Sequence, residues 1–446
     1  MTGYEFFASL GKRGSRPGLG RVSRLAELCG RPDRKVKIIH VAGTNGKGST
    51  VSAVAAALTA AGYRTGSFMS PYVLDPRECV RIDGRALTRD EFDAAMLAVK
   101  PFAERMPDDP PTEFEAQCVA SLSRFAEKKC DFVCLEVGMG GLLDATNFIE
   151  KPLVSVICAL SLDHTAWLGD TVEQIAAHKC GIIKPDGVTV AYPEQPEAAM
   201  RIIRETAGQK RNRLVVPELS LVTSLRCDAL GRRSFEYKGL RLALSMPGAH
   251  QEYNMLTAVE TLLTLRGLGF AISDKNITNG INSLTLPGRT EILESGGSRV
   301  IIDAGHDLQG VSALCEVLDS LALPKPPVAV AGMLADKDYR SCAALLAGRC
   351  RSIHAAPPVS PRALSGEEFA AAAAAAGTSC RIAAHPDIYA ALDAAKSELA
   401  ANDTLLVCGS FYVAMRLREE LLGQKDIYTK KRRGTRAAPP DKNTKP

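Results

Sequence analysis

The run His40-Val-Ala-Gly-Thr-Asn-Gly-Lys-Gly-Ser-Thr50 gathers three glycines, a lysine and two hydroxyl side chains at its end. A glycine-rich loop of this kind turns successive backbone N–H groups inward. A helix beginning there adds the positive end of its dipole, so the place suits a polyphosphate. Gly43, Thr44, Asn45, Gly46, Gly48 and Ser49 would form the cradle, and Lys47 would supply a mobile point charge. The strict pattern G-x-x-x-x-G-K followed by Ser or Thr is not met. Val41 holds the first glycine position, and Gly48 separates Lys47 from Ser49. A plain glycine-rich turn is the alternative. The position of the run, between a β-branched stretch and a helical one, favours phosphate.

Further along the chain, Ser70, Glu136 and His164 each fall at or just after a strand-like run. At the carboxyl ends of parallel strands a hydroxyl, a carboxylate and an imidazole converge on one rim, where they could hold a divalent ion beside the phosphates. Singly, each has a bland reading: Glu136 bonded to its own loop, His164 held by Asp163. Lys179 lies at a helix end stopped by Gly181 and Pro185, where spacing alone reads as a solvated cap. Asp303 and His306 stand three apart on a glycine-bearing turn, in reach of a nucleotide or part of an ordinary loop. Arg289, in Pro287-Gly-Arg289, would set a guanidinium against phosphate oxygens or lie on the surface.

The elements that must position these groups alternate. Lys35–Ile39 reads as a buried strand and Val51–Ala61 as a helix stopped at Gly62. Arg64–Ser70, Asp131–Val137 and Leu153–Leu160 read as further strands, Leu19–Leu28 as an amphipathic lead-in helix, and Thr112-Glu-Phe-Glu115 as a capping box opening a helix to about Lys129. Buried runs separated by helices predict an α/β fold with a parallel sheet covered on both faces. Leu214–Leu244 alternates more and predicts an antiparallel insertion, after which helical spacing returns at Asn254–Leu265. The stretch from Leu286 through Ser298 reads as a linker. Three strand-like runs, at Arg299, Pro327 and Asp403, predict a second, smaller α/β unit, and the run Ala370–Ala376 needs only a helix.

With 446 residues the chain exceeds one ordinary core, and 46% hydrophobic with 24% charged residues is a globular composition. The net charge of +5 draws on Lys425–Lys445, with eight Lys or Arg against two Asp, so the body implies no nucleic-acid partner. Thirteen cysteines without a C-x-x-C pair fit reduced thiols, and no apolar run reaches membrane length. A cytoplasmic protein, with no membrane partner, is expected.

Taken together, the loop at 40–49, Ser70-Pro71, Leu135-Glu-Val-Gly-Met-Gly-Gly141 with Asp144-Ala-Thr-Asn147, Asp163-His164 with Leu168-Gly169, and Lys179-Cys-Gly-Ile-Ile-Lys184 resemble the folylpolyglutamate synthase and dihydrofolate synthase family of the Mur ligase superfamily. Gly248-Ala-His-Gln251 with Asn254, Pro287-Gly-Arg289, Asp303 with His306, and Asp336-Lys-Asp338 continue the match in order, from about residue 19 to 422. The resemblance implies a P-loop ATP-binding domain over 1–287, a hinge at 288–298, a Rossmann-like domain over 299–423 and a basic, disordered tail at 424–446. It implies ADP-forming ligation of L-glutamate to a folate or dihydropteroate carboxylate, by a monomer. It makes Ser70, Glu136 and His164 magnesium ligands, and Lys179 a lysine open to carbamylation. Asn254 would meet the adenine side, and Arg289, Asp303 and His306 would close on the nucleotide. The helix start at Thr112–Glu115 would border the pterin pocket. Tyr72, Leu142, His178 and Asp307 depart from the family pattern. A ligase for UDP-linked cell-wall precursors would carry an extra N-terminal domain for which residues 1–34 leave no room. A non-catalytic P-loop regulator would leave Lys179, His306 and Arg289 without a job.

Overall fold

The computed structural model describes residues 1–11, 14, 16–295 and 297–423. The expected basic tail at 424–446 lies outside them. Lys-Ile-Ile-His-Val-Ala is rich in β-branched residues and buried at every position but the first, and it forms strand β1 (Lys37–Ala42). A strand buried on both faces needs no polar alternation, and that marks the interior of a parallel sheet. Around it lie β2 (Thr65–Phe68), β3 (Val80–Ile82), β4 (Arg85–Ala86), β5 (Phe132–Glu136), β6 (Val154–Ile157), β7 (Val188–Ala191) and β8 (Arg213–Val215). The eight strands run in the order β4-β3-β2-β5-β1-β6-β7-β8. All pairings are parallel except β2 with β3 and β3 with β4, which form an antiparallel edge. The chain leaves β1 toward β2 on one side and returns to β6 on the other, so the carboxyl end of β1 opens at a topological switch point.

The helix Lys47–Ala60 follows β1 directly, four residues earlier than its apolar spacing suggests, so Lys47 is its first residue. Small residues cover it all round, which lets neighbours approach closely. An added Cβ at Gly280, in the helix Asp274–Asn282, would sit 2.4 Å from the Cα of Ala57. Val51, Val54 and Leu58 join Ile39, Val41, Leu256 and Leu262 in one buried cluster, each such side chain worth roughly 1.5–3 kcal/mol.

Residues 214–244 divide differently from the expectation. Leu214 and Val215 belong to β8, whose parallel pairing with β7 covers the sheet edge. Only β9 (Val222–Cys227), β10 (Arg232–Tyr237) and β11 (Leu240–Pro247) form the antiparallel insertion. The expected hinge also narrows. Glu291–Ser295 is strand β12 and pairs antiparallel with β13 (Ser298–Ile302), so Glu294, Ser295 and Ser298 are paired strand residues rather than linker. Glu291, Glu294 and Ser295 are polar and no residue of the strand is fully buried, which suits an edge strand. The second sheet adds β14 (Val328–Ala331), β15 (Ser352–Ala355), β16 (Arg381–Ala384) and β17 (Thr404–Cys408), in the order β12-β13-β17-β14-β15-β16 and parallel apart from β12. The alanine run lies in the helix Gly366–Ala374 up to Ala374, with Ala375 as its cap. All thirteen cysteines are free thiols. Among the described residues no helix is long and apolar enough to cross a membrane.

Candidate active site

The loop after β1 reaches the helix Lys47–Ala60 through Gly46, whose φ of 81° lies in the left-handed region. A Cβ there would stand 2.1 Å from Oδ1 of Asn254. Gly46→Ala is therefore expected to cost about 1–3 kcal/mol of stability, read by denaturant unfolding. Thr44 ties the loop to β6: its Oγ1 donates to the Ser161 carbonyl at 3.0 Å and accepts from Ser161 N–H at 3.2 Å. Lys47 Nζ donates to the Thr44 carbonyl at 2.9 Å.

A cavity of about 90 Å³ opens over this loop. It is lined by Gly43–Gly48, Ser70, Glu136, His164, Lys179, Arg289 and His306, which lie up to 263 positions apart in the chain (306 − 43). Glu136 ends β5, is 4% exposed, and its Oε2 accepts from Ser70 N–H at 3.4 Å. Burial raises its pKa, against the opposing charges of Lys47 and Arg289. His164 sits at φ 52° with its Nε2 3.5 Å from Oδ2 of Asp163. Burial, against the pull of Asp163, pushes its imidazole down to about 4, so at neutral pH the ring is uncharged and offers a lone pair. Burial works against the Asp163 carboxylate as well, but Lys337 and His164 outweigh it and hold that group at about 2.

Lys179 corrects the reading from spacing. It is 3% exposed rather than a solvated cap, and its Nζ donates to the Gly43 carbonyl at 2.8 Å. The helix Val172–Lys179 ends against the phosphate loop, so its last side chain points inward. Burial, reinforced by the charge of Lys47, brings the amine down to about 7.

The second sheet contributes from its own carboxyl ends. Arg289 stacks its guanidinium over Phe411, 4.6 Å from the ring centroid, and His306 lies 5.7 Å from the same ring. His306 Nδ1 donates to the Ala304 carbonyl at 3.1 Å, which leaves Nε2 as the acceptor. Asp303 lines neither this cavity nor its larger neighbour. Its Oδ2 accepts from Thr290 N–H and Oγ1 at 2.8 and 2.9 Å, and its Oδ1 from Gly305 N–H at 2.7 Å, so it braces the turn that carries His306. Asn254 likewise lines neither cavity: it lies against Gly46, with Nδ2 donating to Gln251 Oε1 at 3.2 Å.

Three features escaped the reading of the sequence. Lys337, whose side chain is 5% exposed, forms an ion pair with Asp163 across the two sheets. Asn45 Nδ2 donates to Asp307 Oδ2 at 2.8 Å and to Gln309 Oε1 at 2.9 Å, a second crossing. Phe411 closes the cavity wall. A glycine directly after strand β17, at Gly409, was the available signal for Phe411. Asp163, Lys337, Asn45 and Asp307 were each singled out in the sequence, but nothing there pairs them across 174 and 262 residues.

No group of three His, Cys, Asp or Glu among the described residues is placed to hold a metal alone. A buried carboxylate with one long hydrogen bond, a neutral imidazole and a hydroxyl on one cavity wall nonetheless suit Mg²⁺, which takes few protein ligands and completes its shell with phosphates and water.

A parallel-sheet P-loop unit followed by a smaller parallel-sheet unit, with the site between their strand ends, is the arrangement of a Mur ligase. The Mur ligase middle domain matches residues 41–262, and the Mur ligase glutamate ligase domain residues 288–411. The chain belongs to the dihydrofolate synthase/folylpolyglutamate synthase family. It is 32% identical over 431 residues to the dihydrofolate synthase/folylpolyglutamate synthase of Bacillus subtilis, covering 92% of this chain and 96% of that one. E. coli FolC in complex with DHPP and ADP is 30% identical with a TM-score of 0.82, over 95% of this chain and 98% of that chain. A bifunctional folylpolyglutamate synthase/dihydrofolate synthase with Mn, AMPPNP and L-glutamate bound is 29% identical with a TM-score of 0.80, over 95% and 98%.

Proposed function

We propose that this chain is an ATP-dependent, ADP-forming ligase that joins L-glutamate to the carboxylate of a folate or of dihydropteroate. One observation carries the reading: Lys47, Glu136, His164, Lys179, Arg289 and His306 line a single cavity at the phosphate loop, buried where the two sheets meet. The relatives supply the substrate class, since those that share the fold and the chain order of these motifs are named for folate glutamylation.

The reaction runs in two steps. A carboxylate oxygen of the acceptor attacks the γ-phosphorus of ATP and ADP leaves, giving an acyl phosphate. The glutamate amine then attacks the acyl carbon, and phosphate leaves as the amide forms. Gly43–Ser49 cradle the phosphates, and Lys47 and Arg289 neutralise the charge spread over the transferring group. Ser70, Glu136 and His164 would hold Mg²⁺, which would supply Lewis-acid neutralisation of the phosphate charge. Lys179, with an amine half neutral near pH 7, reacts with CO₂ as only an uncharged amine does. The resulting carbamate turns a buried cation into an anionic ligand. Asp303 acts through the turn of His306, and Asn254 through the shape of the loop at Gly46. Phe411 and the two crossings exclude water, which would hydrolyse the acyl phosphate.

The chain is divided at about residue 287, with an ATP-binding unit before it and a glutamate-ligating unit from about 288 to 423, and it acts as a cytoplasmic monomer. The Asp163 to Lys337 pair then serves closure. Lys337→Met is expected to lower kcat about 10-fold to 100-fold and to raise the ratio of ATP hydrolysed to amide formed, because an open site admits water. The deciding experiment measures ADP release and product mass with glutamate plus either dihydropteroate or tetrahydrofolate. ADP release indifferent to glutamate and to both acceptors would overturn the proposal in favour of a nucleotide-controlled regulator.

A further inference from the structure

Arg289 reaches the phosphate cavity from the segment between the two sheets, and among the described residues no hydrogen bond holds its guanidinium, which rests on the ring of Phe411. A group held in this way is placed by its backbone and by what it stacks on. The backbone on either side takes an uncommon path, with Gly288 at φ 68° and Thr290 at φ 49°. Glycine enters that left-handed region freely, but a β-branched threonine stays there only when its surroundings hold it. Thr290 is 0% exposed, and its N–H and Oγ1 both donate to Oδ2 of Asp303, at 2.8 and 2.9 Å. On the other side Gly288 N–H donates to Oε2 of Glu291 at 3.1 Å, and the Gly288 carbonyl accepts from Ala304 N–H at 2.8 Å. Glu291 begins β12, and Asp303 and Ala304 follow β13 directly. Arg289 is therefore anchored to the second sheet and not to the phosphate loop that it faces.

A helix completes the bracket. Within the helix Phe411–Leu422, Phe411, Met415 and Arg418 follow at spacings of four and three residues, which share one helix face, and that face lies along the turn. Phe411 stacks on the guanidinium. Met415 closes on Gly288, where an added Cβ would stand 3.1 Å from its Sδ. Arg418 grips Glu291 with two bonds, Nε to Oε2 at 2.6 Å and Nη2 to Oε1 at 2.7 Å, and the two side chains are only 19% and 17% exposed. Such a bidentate pair fixes orientation as well as distance. Because the same Oε2 accepts from Gly288 N–H, the ion pair and the turn at Arg289 form one unit. Arg418 itself lines neither cavity.

We infer that Arg418 is a positioning residue for phosphoryl transfer. Through Glu291 and Gly288 it keeps the turn at Arg289 aligned with Phe411, so the guanidinium already stands over the cavity when ATP arrives and no binding energy is diverted to placing it. The inference rests on the role of Arg289 proposed above and extends it to a side chain outside the site. An ion pair that served the fold alone would weaken the chain when broken, but it would do so equally whether or not Arg289 were present.

The test measures kcat and KM by ADP release in the full-length protein, for wild type, Arg418→Met, Arg418→Lys, Arg289→Ala and the double variant Arg289→Ala with Arg418→Met, and urea unfolding checks that each one folds. Arg418→Met is expected to lower kcat about 5-fold to 30-fold while KM for glutamate changes less than about twofold. Arg418→Lys, which keeps the charge but loses the fork, is expected to recover part of that loss. In the Arg289→Ala background, Arg418→Met is expected to cost less than about twofold further, because no guanidinium is left to place. A full additional loss in that background assigns Arg418 to the fold alone and overturns the inference, as does an unchanged kcat in Arg418→Met. If the methionine variant does not fold, Arg418→Lys decides the matter by the same comparison with and without Arg289. Wild-type ADP release that ignores glutamate and both acceptors refutes the proposed function itself, a result distinct from these.

Discussion

Replacing Lys47 by alanine is expected to lower kcat/KM for ATP-dependent ligation by on the order of 10³-fold while the chain still folds. The ammonium stands at the first residue of the phosphate-loop helix, on the wall of a cavity shared with Glu136, His164 and Arg289. In a site shut off from water, one such donor aimed at developing phosphoryl charge is worth about 3–4 kcal/mol. Its part in the fold is small by comparison. Its side chain is half-buried and makes a hydrogen bond of 2.9 Å to a carbonyl three residues away, a contact worth about 1 kcal/mol. ADP release, with urea unfolding of both proteins, checks the two halves of the prediction. Full ligation by the alanine variant would remove Lys47 from the phosphoryl step.

The second large effect belongs to Lys179. Lys179→Met is expected to lower ligation by about 10²-fold or more and, independently, to change how stability depends on pH. The amine ionises near 7 in the folded chain against the usual 10.5 of a lysine, first because it is buried and then because Lys47 lies near it. Between those two values the unfolded chain binds more protons than the folded one, so the stability of the wild type rises with pH across that window. From pH 7 to 9 this residue should contribute about 1–3 kcal/mol to the rise, and the methionine variant should lack it. Denaturant midpoints at the two pH values measure the difference. Depleting CO₂ and bicarbonate should also reduce wild-type ligation, and restoring bicarbonate should recover it. A rise in stability that persists unchanged in the methionine variant would show that Lys179 is not the group with the lowered pKa.

Much of the fold was legible because its signals are local. The run at Lys37-Ile-Ile39 cannot sit on a surface without exposing apolar side chains, although the strand starts two residues later than expected and continues through Ala42, which the sequence reading gave to the loop. The capping box at Thr112 and Glu115 forms as its spacing predicts, with Glu115 Oε2 accepting from Thr112 N–H at 2.7 Å. Boundaries were less legible where one pattern serves two structures. Glu294-Ser-Gly-Gly-Ser298 suits a linker or a hairpin turn, and only the partner strand β13 decides between them. Leu214 and Val215 could have gone with either neighbouring sheet until β7 offered them a parallel edge.

The candidate site divides in the same way. By itself the sequence determined the phosphate loop, the residues at the strand ends and, through nine motifs in order, the family, because each of these is a matter of residue type and near spacing. Only the tertiary structure decided that Lys179 is buried with a weakened amine, that Asp303 braces a turn, and that Asn254 packs against Gly46. It alone brought Lys337 to Asp163 and Arg418 to Glu291. Burial and charge pairing are properties of what surrounds a side chain. Here the surroundings come from segments hundreds of residues away, which no local pattern in the chain encodes.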